Sequence, residues 1–346
     1  MRYAPKSICG FALNRDKNSL FFGMIFGNRY RTAWGLLLLL NGLMVNQCRS
    51  QTLADFWNGR ATFVCDNQIY GTKGMHFISV VQHEGEYYVY GILPSPTGLG
   101  IGLWRSKEMT NFVFDRTILA PSVAPWMKRM ASFPGAFKDG NKWYLTFEGA
   151  GESPGDIGLA TSTNGTDFTV ETAPLLVHQT SGWERQNIGS PWLTKIDGQF
   201  ILYYHGFGER ANSPSDDCQV GAATGTNIHA LQRVAGNPLI RTQNDQWDTG
   251  TIGKRDIISE GGFYYMVVEI SGEQPYATTR WSTGIWRAKN ILGPWEHCPR
   301  NPVLPVTDSG MGYDGPTWVR TPDHHLHIYF RHPTGSTSRA TLQWKN

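Results

Sequence analysis

The chain has 346 residues and a formal net charge of +3, with 17% charged residues, 39 Gly, 13 Trp, 14 Tyr and 17 Phe. Seven of the 31 Lys and Arg, but one of the 28 Asp and Glu, fall within the first 50 residues, so 24 basic face 27 acidic residues in the rest. The basic excess therefore belongs to a leader, which removes the main support for a nucleic-acid surface, and the three later cysteines (Cys65, Cys218, Cys298) lack the number for a disulfide scaffold and the spacing for zinc, although one bridge is open.

Residues 1–50 read as an export signal. Arg29 and Arg31 precede Ala33-Trp34-Gly35 and an apolar run from Leu36 to Val45. The run is shorter than the ~20 residues needed to span a bilayer, so no stable membrane insertion is expected after cleavage. A cleavage point falls near Ser50, and Met24 offers an alternative start with a compact Arg-bearing segment. Val45-Asn46-Gln47 lacks the small residues expected before a lipidated Cys48, which disfavours a lipoprotein. The expected product, residues 51–346, is one secreted or periplasmic domain.

Along that domain a unit recurs five times: a strand, a turn carrying Gly or Asp, then an aromatic strand. The first strands open near Phe77, Phe133, Gly189, Arg255 and Asp314. The second strands open at Glu86, Lys142, Gln199, Phe263 and Leu326. Third strands follow near Ile101, Ile157, Val220, Gly284 and Ala340, and short fourth strands such as Phe112–Phe114 and Phe168–Val170 close four copies. The fifth copy ends before a fourth strand, which Thr62–Val64 is placed to supply. A period of about 60 residues fits a four-stranded propeller blade with insertions. The expected fold is all-β: a five-bladed β-propeller with four antiparallel strands per blade, its ring closed by an N-terminal strand in the last blade. Closure of that kind removes exposed sheet edges. Abundant aromatic and Gly residues with few charges suit such a fold, and aromatic faces also suit sugars.

Phe133-Pro-Gly-Ala-Phe-Lys-Asp-Gly140, Ala160 to Phe168, Asn237-Pro-Leu-Ile240, Asn301-Pro-Val-Leu304 and Gly293-Pro-Trp295 resemble motifs of the five-bladed β-propeller glycosidases. This is the broad group around glycoside hydrolase families 43, 32, 62, 117 and 130, and the resemblance spans about residues 60–346. It implies hydrolysis of a glycosidic bond with no catalytic cofactor. A structural calcium ion on the axis is left open, without a visible ligand set. It also implies an Asp, Asp, Glu triad at the starts of three first strands. The matching positions are His76 or Phe77, Phe133 and Gly189, and none is a carboxylate. The usual triad is therefore not preserved.

Glycoside hydrolysis needs two carboxyls of opposite protonation beside the bond. First-strand starts and second-strand ends share one rim of a blade. The catalytic candidates at that rim are Asp314, Glu269, Glu148, Asp256 and His76. A His titrates near neutrality, and family 117 resembles this in using a His acid. The substrate-binding candidates are Glu184, Arg185, His205, Arg255 and Arg331, with the arginines suited to a uronate or sulfated sugar. No metal site is expected. His324, His325 and His327 are expected at the surface. Trp126, Trp183, Trp247 and Trp281 are open as sugar platforms or as packing, and Tyr87 and Tyr144 are expected between blades. A polysaccharide lyase acting on a uronate glycan and a non-catalytic glycan-binding propeller stand as alternatives.

Overall fold

The computed structural model describes residues 50–66, 69, 71–72, 74–151, 155–208, 218–242, 250–271, 280–305, 313–332 and 336–345. The leader and Trp247 lie outside them. The chain opens with a one-turn helix, α1 (Leu53–Trp57), capped by Thr52: its hydroxyl accepts from Asp55 N, and the Asp55 carboxylate accepts from Thr52 N. This reciprocal pair satisfies two backbone donors that the helix start leaves over.

The strands then pair as antiparallel meanders. The first is β2 (His76–His83), β3 (Glu86–Ser95), β4 (Gly98–Ser106) and β5 (Val113–Leu119). The second is β6 (Met130–Asp139), β7 (Lys142–Ala150), β8 (Asp156–Ser162) and β9 (Thr169–Val170). The third is β10 (Asn187–Ile196), β11 (Gln199–Phe207), β12 (Cys218–Gly225) and β13 (Gln232–Arg233). The fourth is β14 (Thr251–Glu260), β15 (Phe263–Ser271), β16 (Ser282–Ala288) and β17 (Glu296–His297). The fifth is β18 (Asp314–Arg320), β19 (Leu326–Arg331) and β20 (Thr337–Trp344), and its fourth strand comes from the start of the domain. That strand, β1 (Ala61–Asp66), pairs with β20 from Ala61↔Trp344 to Asp66↔Arg339. Single parallel pairings, Leu99↔Met130 and Cys218↔Thr251, join the first meander to the second and the third to the fourth.

The middle strands of each meander are buried on both faces, which explains why their sequences are apolar at successive positions. In β7, Lys142 is exposed and the next eight residues are buried. Strand alternation sends Trp143, Leu145 and Phe147 into a core with Tyr90 and Leu103 of the first meander. It sends Tyr144 into another core with Leu202 and Phe200 of the third. The pattern repeats. Tyr203 and Val220 meet Met266 and Trp286 between the third and fourth meanders. Tyr265 and Ile285 meet Ile328 and Phe63 between the fourth and fifth. Tyr329 and Val319 meet Tyr87 and Trp104 between the fifth and first.

The first strands also touch in succession. Ala136 N donates to Ser79 Oγ at 2.9 Å, and Lys195 pairs with Asp139 at 2.8 Å. Trp192 Nε1 donates to Asp256 at 2.7 Å, and Trp318 N to the same carboxylate at 2.8 Å. Thr317 Oγ1 donates to Ile78 O at 2.6 Å. Cys65 is exposed, Cys218 and Cys298 are buried, and no disulfide joins them.

Every first strand carries the same irregularity near its start. The register steps from His76↔Ile92 to Ser79↔Tyr90, from Ser132↔Glu148 to Gly135↔Thr146, and from Gly189↔His205 to Trp192↔Tyr203. It does so again from Ile252↔Ile270 to Arg255↔Val268, and from Asp314↔Arg331 to Thr317↔Tyr329. One extra residue on the first strand is a β-bulge, a device that re-aims side chains at sheet ends. Phe77, Phe133 and Ser190 occupy three of these bulges with φ of 48°, 49° and 44°. Residues with a Cβ rarely adopt that region and hold it only where their surroundings enforce it.

Candidate active site

The bulges bring ionisable groups to one end of the meanders. Asp314 opens β18 and is 1% exposed. Both its oxygens are held by the Arg331 guanidinium from the end of β19, with Nε donating to Oδ1 at 2.9 Å and Nη2 to Oδ2. Burial and the neighbouring Glu269 push the Asp314 carboxyl up to about 7, with the Arg331 fork pulling the other way. Glu269, near the end of β15, accepts from Lys254 N at 2.7 Å and from Gly315 N at 2.5 Å, one donor on each oxygen. Its carboxyl is also pushed up by burial and pulled back by these two N–H groups. Arg331 additionally lies over the Phe77 ring, 5.0 Å from its centroid.

Glu148 lies across from Ser132 on the β6–β7 pair and accepts from the Ser190 N–H of β10 at 3.3 Å. His205 Nε2 is 3.9 Å from the same oxygen. Burial pushes Glu148 up to about 7, with the Ser190 amide pulling the other way. Burial and then the Arg255 charge hold His205 well below its ordinary value, so it is neutral at pH 7. Arg255 is fully buried, with two of its nitrogens on Gly253 O. Burial lowers it to about 10, and it stays charged at neutral pH. Lys254 donates to Pro316 O at 2.8 Å and Thr317 Oγ1 at 2.6 Å, and burial lowers it to about 8. His76 opens β2, half-buried, and is lowered by burial and by the Arg331 charge.

These interactions link Glu148 to His205, His205 to Arg255, Arg255 to Glu269, Glu269 to Asp314 and Arg331, and Arg331 to His76. Lys254 lies in the fields of Asp256, Glu269, Arg255 and Asp314, so eight of the ten sequence candidates form one electrostatic neighbourhood. Several of its buried polar atoms have no hydrogen-bond partner: His76 Nδ1, Ser132 Oγ, Ser190 Oγ, His205 Nδ1 and an Arg255 guanidinium nitrogen. Such groups lie ready for the hydroxyls of a ligand. Among the described residues no group of three or more His, Cys, Asp or Glu side chains is placed to hold a metal ion.

No family model and no curated protein matches the chain. Solved structures do match. A thermostable family-43 glycoside hydrolase aligns over 78% of this chain and 89% of its own, at 19% identity and a TM-score of 0.61. The catalytic domain of a family 62 α-L-arabinofuranosidase from Coprinopsis cinerea aligns over 82% and 97%, at 11% identity and 0.58. A family 117 glycoside hydrolase produced by the marine bacterium Zobellia galactanivorans aligns over 82% and 90%, at 12% identity and 0.58. The chain has the fold of these glycoside hydrolases. At such identities the likeness is one of fold, and chemistry must be argued from the site.

Within that glycosidase fold three sequence candidates are tied up or lie apart. Asp256 is offered by the sequence as catalytic; it shares Lys254 with Glu269 and Asp314, but both its oxygens are taken. One oxygen accepts from Trp192 Nε1 and Ile257 N and the other from Trp318 N, which ties β10, β14 and β18 together. Glu184 is offered as a substrate contact, but it has no exposed surface and is paired with Arg233 at 2.5 Å. Arg185 is exposed beside it. His327 is also not at the surface: it is buried, with Thr341 and Thr321 hydroxyls on its two nitrogens. Trp183 stacks on Tyr204 and Trp126 on Phe147, so both serve packing. A cleft of about 770 Å³ at the opposite end of β19 holds Asp66, Arg339, Thr341, His327, Thr321 and Asp323. Those groups satisfy one another in a continuous hydrogen-bonded row.

Sequence reading missed Ser132 and Ser190. Their signal was the X-Pro step at three of the five bulges (Phe133-Pro134, Ser190-Pro191, Gly315-Pro316). The tying role of Asp256 has its own test. Asp256→Asn would turn an amide N–H toward the Trp318 N–H, costing about 1–3 kcal/mol of stability. Turnover by the folded fraction should stay within a few-fold of wild type. Unchanged melting together with abolished turnover would return Asp256 to the catalytic set.

Proposed function

We propose that this protein is an exported glycoside hydrolase acting on a poly- or oligosaccharide, built as a five-bladed propeller closed by β1. The ring is supported by five cores that each lie between consecutive meanders, the last of them between the fifth and the first. The observation that carries the activity is the gathering of Glu148, Glu269 and Asp314, all buried, at one end of a glycosidase fold. One carboxyl in its acid form and one ionised is the arrangement that glycosidic cleavage requires. Burial raises both Glu148 and Asp314, and the Arg331 fork, which opposes that rise, acts on Asp314. Arg331, Arg255, Lys254 and the neutral histidines make this end suited to an anionic sugar, a uronate or sulfated residue. Export rests on the leader, and the compact unit begins at Ser50, beside the expected cleavage point.

The test is incubation of the secreted protein with neutral, uronate-containing and sulfated glycans, with products read by mass and ultraviolet absorbance. Hydrolysis adds one water per bond cut and leaves no new ultraviolet absorbance. Release from anionic glycans is the expected result. Release from neutral glycans alone would remove the anionic-sugar reading. An unsaturated, absorbing product would identify a lyase, and glycan binding without products a binding propeller.

A further inference from the structure

We infer that Glu148 is the proton donor of the site, seated in a socket that Gly189 and Gly155 leave open and flanked by Ser132, Ser190 and His205 as the groups that orient the sugar around it. This rests on the hydrolase reading above. The first observation is the state of the carboxyl oxygens. Asp256, Glu269 and Asp314 have an N–H donor on both oxygens. A proton added to any of them would face a donor and cost a hydrogen bond. Glu148 has one oxygen, Oε2, on the Ser190 N–H, and among the described residues nothing donates to Oε1. A proton on Oε1 displaces nothing and can be given to a ligand.

The second observation is steric. A Cβ at position 189 would overlap Glu148 Oε2 and stand 2.9 Å from His205 Nε2. A Cβ at position 155 would stand 2.8 Å from Glu148 Oε1. Glycine at both positions is thus a condition for Glu148 to lie where it does. Position 189 is also a first-strand start where the sequence resemblance leads one to expect an acid. The carboxyl is supplied to that point by the neighbouring meander instead.

The third observation is the set of unpartnered polar atoms. Ser132 Oγ, Ser190 Oγ and His205 Nδ1 are each buried without a hydrogen bond, on residues that directly adjoin Glu148. Polar atoms placed so in a native core are costly unless water or a ligand answers them, and beside the open Oε1 a sugar hydroxyl can do so. In the reaction the glycosidic carbon–oxygen bond breaks with its electron pair passing to the leaving oxygen. The Glu148 proton forms the new O–H bond there. Water supplies the oxygen that joins the anomeric carbon, and its proton restores the acid by way of a second carboxylate.

The experiment uses the secreted wild type and Glu148→Gln, both confirmed folded by their melting. Each is assayed on the glycan that wild type cleaves and on the dinitrophenyl glycoside of the sugar released, whose leaving group needs no proton. The expected loss is about 10²–10⁴-fold on the glycan and at least ten-fold less on the dinitrophenyl glycoside. Equal losses on both substrates would overturn the assignment while leaving the hydrolase reading intact. A wild type that cleaves no glycan would instead remove the hydrolase reading. Should Glu148→Gln fail to fold, the double variant Glu148→Gly/Gly189→Glu places a carboxyl at the socket from its other side. It is expected to exceed Glu148→Gly alone by more than ten-fold on the glycan, and equal rates would overturn the socket.

Discussion

Arg331→Met is expected to destabilise the protein by about 1–3 kcal/mol at pH 8, because it takes the counter-charge and two hydrogen bonds from a buried carboxyl, which then has to take up a proton. Asp314 is 1% exposed and has both oxygens on Arg331. Its other charged neighbours are Glu269 and the Lys254 ammonium, which makes no direct ion pair with it among the described residues. Methionine keeps most of the side-chain volume, so cavity formation contributes little. For a domain of this size the melting midpoint should fall by roughly 2–10 °C at that pH. The pH dependence follows from the direction of the Asp314 shift. Without Arg331, the folded-state carboxyl rises further above its unfolded value. Such a group contributes stability at low pH and loses it as pH climbs through the folded value. The deficit should therefore be widest above neutrality and narrow on acidification. The double variant Asp314→Asn/Arg331→Met should recover most of the loss, since the unpaired acid is then gone. Urea denaturation of the three variants at pH 5 and pH 8 measures this directly. A single-variant loss under about 1 kcal/mol at pH 8 would mean that solvent reaches Asp314 and that the pair is a surface one in its energetics.

The repeat was legible in the sequence because of how a stack of sheets buries its strands. Each second strand lies between two cores, so it is aromatic or aliphatic throughout, and it follows a tight turn that needs Gly or Asp. These two signals place the starts of β3, β7, β11, β15 and β19 at Glu86, Lys142, Gln199, Phe263 and Leu326, where the structure has them. The expected strand at Thr62–Val64 likewise lies within β1 and pairs with β20. The aromatic count is accounted for in the same way. Trp104, Trp143 and Trp286 fill the spaces between sheets.

The site was legible only as a neighbourhood. Strand ends can be assigned from pattern, but the five bulges cannot, and one inserted residue changes which face a side chain takes. That is why Arg255 and Asp256, adjacent in sequence, have opposite fates. The guanidinium folds back onto Gly253 O with the Glu269 charge near it, while the carboxylate is bound by Trp192 and Trp318. Gly189 was read as the absence of an acid. Its meaning depends on Glu148, 41 positions earlier on another meander, and no local pattern encodes that complementarity. Glu184 failed for a related reason: its partner Arg233 arrives from β13, almost 50 residues on.

The protonation of Glu148 has a consequence that does not depend on any substrate. Its carboxyl moves from an ordinary 4.5 in the unfolded chain to about 7 in the fold, with burial the largest cause. The folded state therefore binds this proton more tightly. The resulting stability is fully present below about 4.5 and is lost as pH rises through about 7, a change of about 2–3 kcal/mol between pH 5 and pH 8. Buried His205 has the opposite sign: its value is lowered, so its contribution is present above the unfolded value and lost on acidification. The wild-type profile mixes the two, and the difference between wild type and Glu148→Gln isolates the carboxyl. Glutamine can still accept from the Ser190 N–H and carries no proton to lose. The variant should gain about 2–3 kcal/mol on wild type in passing from pH 5 to pH 8, measured by urea denaturation at each pH. If the gap between them is instead constant to within about 0.5 kcal/mol, well inside one proton's linkage, then Glu148 ionises in the fold as it does in the open chain. That result would withdraw the group from the role of acid at neutral pH even if the variant were inactive, because loss of activity would then report only the loss of a negative charge beside His205.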